Sequence, residues 1–577
     1  MRTALALLLV ATPAFAQEAA DAVAPEGATG FVPDSPNPVT SSEWMVAAAN
    51  PLASEAGARV LREGGSAADA MVAVQAVLGL VEPQSSGLGG GAFLVYYDAA
   101  SGELTTLDGR ETAPATATPT MFQTEDGETM GFFDAVVGGL SVGTPGTPML
   151  MEEAHRRWGS ANWGSLFTDA ITLAADGFTV SPRLAALVAG DTEYLSVAPA
   201  TAAYFLPGGT PIAEGDTLVN EAYAETLRAF AAHGADAFYS GEVAEGIVAT
   251  VRGAALPGRL AMDDLEDYRV IERDAVCAPY RGAEVCGMGP PSSGALTVGQ
   301  ILALIEPYDI AGLGPDSSEA WRLIGDASRL AFADRGRYMA DSDFVPMPRL
   351  LDAAYLAERA KLLAGDDALP EVSAGSPPWD HAALDLADDR SLELPSTSHI
   401  SIVDADGNAL SMTTTIENGF GSRLFTPGGF LLNNELTDFS FATHDEGVPI
   451  ANRIEPRKRP RSSMSPTIVM RDGAPVLVVG SPGGSRIIGY VAKTIIAYMD
   501  WGMDPQQAVA LPHLVNRFGT YDLEEGTAAD GFAEALTELG YETNVRALTS
   551  GLHAIAVDGE TLIGGADPRR EGVAIGE

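Results

Sequence analysis

The sequence predicts one α+β unit in which strands from both halves of the chain share a core, rather than a string of separate domains. Three observations carry this. Helical stretches near the N-terminus lead straight into a strand, FLVYYD, at Phe93 to Asp98. The middle of the chain, about 140 to 365, is mostly helical in pattern. Strand-rich blocks then return after residue 397, and they need partners from the N-terminal half.

Taken in order, the first sixteen residues read as a signal peptide: Arg2, an apolar run to Val10, then Ala14-Phe15-Ala16 before Gln17. The run is too short to span a bilayer, and no later stretch is both long and charge-free enough to do so. The mature chain is therefore expected to be exported, to a bacterial periplasm or beyond the cell. Helices are expected from Pro51 to Leu80, with Gly64-Gly65-Ser66 supplying a break and a cap. The second, ADAMVAVQAVLGL, is apolar nearly all round and so belongs in the interior. The glycine-rich run Ser85 to Gly91 opens the strand. Glu221–His233 and Ser317–Tyr338 are clear helices of the middle region. From Gly365 to Leu394 the composition turns to Pro, Asp, Glu and Ser with little period, which predicts an exposed loop. A helix from Ser485 to about Met499 and a closing βα region complete the chain.

The loop ends just before Ser396-Thr397-Ser398-His399. A short alternating strand follows, turns at Ala405-Asp406-Gly407, and returns through Ala409, Leu410 and Met412 to Thr413-Thr414-Thr415. A three-residue loop centred on Asp406 puts Thr397 opposite Thr415, within hydrogen-bond reach on one face. A hydroxyl at a strand tip beside a second hydroxyl points to a nucleophile, although Thr is also a common strand residue.

The two cysteines, in VCAPYRGAEVC, are symmetric about Arg281-Gly282. A two-residue turn there makes Cys277 and Cys286 a non-hydrogen-bonded pair, close enough for a cross-strand disulfide; buried free thiols are the other reading. With 34 basic against 78 acidic residues, net −44, nucleic acid and anionic membranes are excluded as partners. The histidines lack HExxH or any paired spacing, so no catalytic metal is expected. GLGGGA opens a strand rather than a helix, GSPGGSR lacks the GK[ST] ending, and no GxSxG occurs. Dinucleotide, phosphate-loop and α/β-hydrolase readings fall away.

Longer blocks go further. TSHISIVDADGNALSMTTT, FLLNNELTDFS, KRPRSSMSPTIV and VVGSPGGSRII resemble small-subunit blocks of γ-glutamyltranspeptidases. MVAAANPLASEAGARVLREGGSAADAMVAVQAVLGLVEPQSSGLGGGAFLVYYD, followed by LDGRETAP, resembles the large-subunit start of that family. The resemblance runs from about residue 40 to 570, through GGADPRR. It implies a four-layer αββα fold of the N-terminal-nucleophile hydrolase class, built jointly from two subunits. The precursor would cut itself between Ser396 and Thr397, leaving a large chain, 17–396, and a small chain, 397–577, associated. Thr397 would then be the nucleophile with its own α-amine as base. Thr415 would orient it, and Gly483 and Gly484 would hold the oxyanion. Ser398 is the other hydroxyl at hand but stands one place too late. Arg110, with Ser462 and Ser463, would take the donor's α-carboxylate, and Glu435 and Asp438 its ammonium. The expected partners are a small γ-glutamyl donor such as glutathione and an amine or water acceptor. Both steps are acyl transfer, so no cofactor is expected.

Two departures bear on substrate. Glu417 stands where transpeptidases commonly place an Asn that helps bind the amine. FATHDEGVPIANRIEPRKRP is short where many relatives carry a lid loop, and it offers no aromatic after Phe441. The main expectation is a γ-glutamyl hydrolase or transferase. The alternatives are a glutaryl or cephalosporin-type acylase of the same family and, from a different class, a non-catalytic periplasmic binding protein.

Overall fold

Two antiparallel sheets lie face to face with helices on both outer surfaces. The computed structural model describes residues 37–389, 391–394 and 396–577; the expected signal segment lies outside them. The first sheet runs in the order Val573–Gly576, Met45–Ala48, Ser398–Val403, Ala409–Thr415, Gly91–Asp98, Glu103–Gly109, Ile271–Arg273. The second runs Val39–Ser41, Thr561–Ala566, His553–Asp558, Ala474–Gly480, Thr467–Arg471, Ala283–Gly287, Val276–Tyr280. Strands from either side of residue 397 contribute to both, so neither half builds either large sheet alone.

Side-chain alternation decides the layering. Met45, Ala47, Val95, Val403 and Ala409 of the first sheet meet Ile468, Met470, Val478 and Ile555 of the second. On the other face, Val46, Leu94, Ile400, Ile402, Leu410 and Met412 pack on helices Pro51–Arg62 and Ala67–Val81. The outer face of the second sheet packs on Gly294–Ile305, Ser318–Tyr338 and Ile487–Met499. The order of layers is αββα, as the resemblance implies.

Local signals hold where the sequence is periodic. Gly64 takes a positive φ of 87°, and Ser66 caps the next helix in a reciprocal box with Asp69. Glu221–His233 is helical, and Ser317 caps Ser318–Tyr338. Residues 365–394 form no helix or strand among those described, yet the segment is not exposed throughout. Its end turns inward, and Glu393, Ser396 and Thr397 are buried. The helix expected from Ser485 starts as a 3-10 turn, Gly484–Arg486, before Ile487–Met499. The closing region holds a βαβ unit, in which Tyr521–Glu524 and Thr543–Arg546 pair in parallel across the helix Ala533–Glu538, and then three strands that join the large sheets. Among the described residues no helix is long and apolar enough to cross a membrane.

Arg281 and Gly282 both adopt positive φ, 48° and 73°, as a two-residue hairpin turn requires. Cys277 and Cys286 then pair across the ladder with Cα atoms 4.1 Å apart and are joined by a disulfide. This hairpin is at a sheet edge. Replacing both cysteines by Ser is expected to lower stability by about 2–3 kcal/mol. The denaturant midpoint should fall with unchanged turnover; an unmoved midpoint would show that the bridge adds nothing.

Candidate active site

The register of the central hairpin builds the site. Pairs run from Ser398↔Thr414 to Val403↔Ala409, and the Asp404 N–H bonds to the Asn408 carbonyl at 3.0 Å, enclosing the three-residue loop read from the sequence. Asp404 accepts from the Asn408 N–H at 3.0 Å and, from the neighbouring helix start, from the Ala67 N–H at 2.8 Å. Loop and helix are thereby tied together. Thr397 lies one residue outside the ladder, its Oγ1 3.3 Å from Thr415 Oγ1.

Both hydroxyls converge on one carbonyl. Thr415 Oγ1 donates to the Ser396 oxygen at 2.9 Å, and the Thr397 hydroxyl is turned onto the same oxygen. The Glu417 N–H donates to Thr415 Oγ1 at 2.9 Å, which fixes its rotamer. Ser396 Oγ donates to the Gln84 carbonyl at 2.9 Å, and Arg570 Nη1 donates to the Thr397 carbonyl at 2.9 Å. The Ser396–Thr397 bond is gripped from both sides.

Thr397 opens on a small pocket lined by Arg110, Glu417, Glu435, Asp438, Ser462, Ser463 and Gly484 among others. Gly484 has φ 58°, and Gly483, φ 135°, backs onto Tyr490, where a Cβ would come within 2.8 Å of the ring. Gly483 therefore requires glycine, and the left-handed backbone at Gly484 favours it.

Carboxyl groups outnumber the one guanidinium in this pocket. Arg110 pairs with Glu435, reaches Asp438 Oδ2 at 2.6 Å, and donates to the Pro460 and Arg461 carbonyls at 3.2 and 3.0 Å. Burial, with the Asp438 and Glu435 charges, pushes the Glu417 carboxyl well above its usual range. Burial likewise pushes Asp438 up, with Glu435 adding to it against Arg110. Glu111, next to Arg110 in sequence, is driven up by burial and by Glu435. Glu417 does not point away: its backbone takes φ 75°, and its carboxyl accepts from Asn434 Nδ2 and, at 3.3 Å, from the Leu394 N–H.

Ser462 and Ser463 are less available than expected. Ser462 Oγ accepts from the Met464 N–H at 3.1 Å. Ser463 Oγ donates to Glu393 Oε2 at 2.6 Å and accepts from Arg335 Nη2 at 2.7 Å. Glu393 also pairs with Arg335 and, at 3.4 Å, with Arg461. Burial alone would raise its carboxyl, but the two guanidiniums and Ser463 hold it down at about 2. Beside this pocket, the shortened lid region lines a second hollow of about 380 Å³, with Met130, Phe132, Thr437, Phe441 and Ile450 among its walls.

The family model for Gamma-glutamyltranspeptidase matches residues 53–577. The chain belongs to that family. It is 38% identical to a glutathione hydrolase proenzyme of Bacillus subtilis (strain 168), over 92% of this chain and 91% of the relative. It is 35% identical to an acylase ACY 1 proenzyme of Pseudomonas sp. (strain V22), over 93% and 94%. Its structure is similar to that of a cephalosporin acylase from Bacillus halodurans, with TM-score 0.83 and 25% identity, covering 95% of this chain and 98% of that one.

Within this γ-glutamyltranspeptidase fold, sequence reasoning missed Glu111, Arg335, Glu393, Arg461 and Arg570. Glu111 and Arg461 adjoin residues already singled out, and a charged neighbour inside a site block was the available signal. Arg335 lies in a helix that reads as structural, and nothing local marks it. A buried layer beneath Thr397 was missed as well. His399 lies between the Thr413 and Ser401 hydroxyls at 2.9 and 3.0 Å, stacked 6.3 Å from His553.

Burial, with each other or Arg570 as the nearby charge, lowers both rings: His399 well below the usual value and His553 to about 4. Both take up protons on unfolding, so their contribution is full above about 6.5 and lost as pH falls toward 4. Stability is expected to drop by about 1 kcal/mol per pH unit for each ring across that window. His553→Asn should flatten the slope measured by denaturant titration; an unchanged slope would remove the ring from the account.

Proposed function

We propose that this enzyme cuts its own Ser396–Thr397 bond and then uses Thr397 to cleave γ-glutamyl amides such as glutathione, passing the acyl group to water or an amine. The observation that carries this reading is the convergence of the Thr397 and Thr415 hydroxyls on the Ser396 carbonyl oxygen. In self-cleavage the Thr397 Oγ–carbon bond forms, the peptide C–N bond breaks, and the hydroxyl proton passes to the nitrogen. Water then hydrolyses the ester. Thr415 steadies the negative oxygen in the first step. The products would be the 17–396 and 397–577 chains, with Ser398–Val403 still bonded to Met45–Ala48 and Ala409–Thr415 to Gly91–Asp98.

With its amine free, Thr397 has a base within one residue. It attacks the donor's γ-carbonyl, Gly483 and Gly484 stabilise the oxyanion, and the amine leaves. The excess of carboxyls at Glu417, Glu435 and Asp438 favours a cation in the pocket, so the donor's ammonium is the natural ligand there. Ligand binding would draw protons off these groups, restoring Glu417 as an anion. The α-carboxylate would be held at the Arg110, Ser462 and Ser463 side. A second reading, amide cleavage of bulkier acylase substrates, is favoured by the adjoining hollow of about 380 Å³.

Three variants and two donors test this. Thr397→Ala should neither self-cleave nor turn over substrate, and Thr415→Val should slow turnover about 100-fold, the scale of one oxyanion-directed donor. γ-Glutamyl-p-nitroanilide should exceed glutaryl-p-nitroanilide in kcat/KM by about 10-fold or more, a preference that Glu417→Gln weakens. Equal turnover of the two donors would favour the acylase reading.

A further inference from the structure

Thr397 overhangs its sheet. Its strand pairs with Ala409–Thr415 from Ser398 onward and with Met45–Ala48 from Ile400 onward. In the uncut chain residue 396 steadies the overhang. Ser396 Oγ donates to the Gln84 carbonyl at 2.9 Å, and the Ser396 oxygen accepts from Thr415 Oγ1 at 2.9 Å. Both contacts lie on the far side of the bond to be cut. A chain terminus beyond its last ladder pair frays unless something ties it down.

Thr415 Oγ1, 3.3 Å from Thr397 Oγ1, does not depend on residue 396. Nor does Arg570, whose buried guanidinium donates from Nη1 to the Thr397 carbonyl at 2.9 Å. Arg570 belongs to the crossover from Thr561–Ala566 of the second sheet to Val573–Gly576 of the first. That crossover is pinned. Asp567 accepts from the Leu552 and Arg569 N–H groups at 3.1 and 3.0 Å, and the Arg570 N–H bonds to the Asp567 carbonyl at 3.3 Å. The arginine stem is packed as closely: a Cβ on Gly551 would fall 2.8 Å from Arg570 Cδ and 2.7 Å from Pro482 Cγ. Only Gly551 backbone therefore fits between the arginine and the residue that precedes Gly483.

We propose that Arg570 is a positioning residue that anchors Thr397 as a new N-terminus, and that it matters more for turnover than for self-cleavage. This rests on the self-cleavage proposed above. Holding the carbonyl fixes the Thr397 peptide plane, and with it the place of the α-amine and Oγ1 relative to Gly483 and Gly484. Before the cut the Ser396 contacts and the continuous chain do the same, so Arg570 is redundant. Afterwards they are lost, and the charge-assisted bond from a rigid guanidinium takes over.

Arg570→Gln, set beside Arg570→Lys and wild-type protein, separates the two stages. Self-cleavage, followed by intact mass during cell-free synthesis, should run within about twofold of the wild-type rate in both variants. In the cut enzyme, kcat of Arg570→Gln should fall about 10- to 100-fold with KM nearly unchanged. The loss should be the same for γ-glutamyl- and glutaryl-p-nitroanilide, because the nucleophile and not the donor is displaced. Arg570→Lys, which keeps a donor at shorter reach, should lose only about threefold in kcat. An unchanged kcat, a rise in KM instead, or equal slowing of both stages overturns the proposal. Should Arg570→Gln not fold, the same split must appear in Arg570→Lys, and misfolding of both variants overturns it as well. A wild-type chain that never cuts would instead strike the proposed function.

Discussion

Antiparallel pairing of Ser398–Val403 with Ala409–Thr415 is the constraint on which the site depends. Side chains alternate across a strand, so a slip of one residue would take Thr415 away from Thr397 and turn Ile400 and Ile402 from the helical layer toward the second sheet. Several independent contacts forbid the slip. Ile400, Ile402, Leu410 and Met412 pack under the helices, Ser411 donates to the Val479 carbonyl at 3.1 Å, and Asp404 pins the loop to Ala67. The strands on either side come from the N-terminal half of the chain, so the register is held from both edges.

On this frame sits an arrangement of buried charge that stability alone would not select. Replacing buried ion pairs with apolar groups is often neutral or stabilising, so their presence calls for another reason. Two such clusters lie near one pocket: carboxyls in excess around Arg110, and Glu393 and Asp389 paired with Arg335 and Arg461. Thr397 is held at the edge of the pocket by Thr415 and Arg570.

Much of this was legible in the sequence because the information was local. The Thr397–Thr415 register followed from strand alternation and a turn at Asp406, and the Cys277–Cys286 pairing from symmetry about Arg281-Gly282. Helices with caps and clear periodicity, such as Ala67–Val81 and Glu221–His233, stand where expected. The layer order came from the resemblance rather than from periodicity, which cannot say which strands meet. What stayed hidden was long-range. The segment before Thr397 reads as an exposed loop by composition, yet Glu393 is drawn inside by Arg335, 58 residues away in sequence. Glu417 reads as a misplaced carboxylate until burial and its acidic neighbours are seen to push its pKa up, and the Ser463 hydroxyl looks free until Glu393 is seen on it.

The most direct test of the account is the intact mass of the purified wild-type protein, denatured after incubation at neutral pH. Two chains, the smaller beginning at Thr397, are expected, with a single uncut chain for Thr397→Ala. One uncut wild-type chain under every condition would deprive Thr397 of its amine base and contradict the mechanism at its first step.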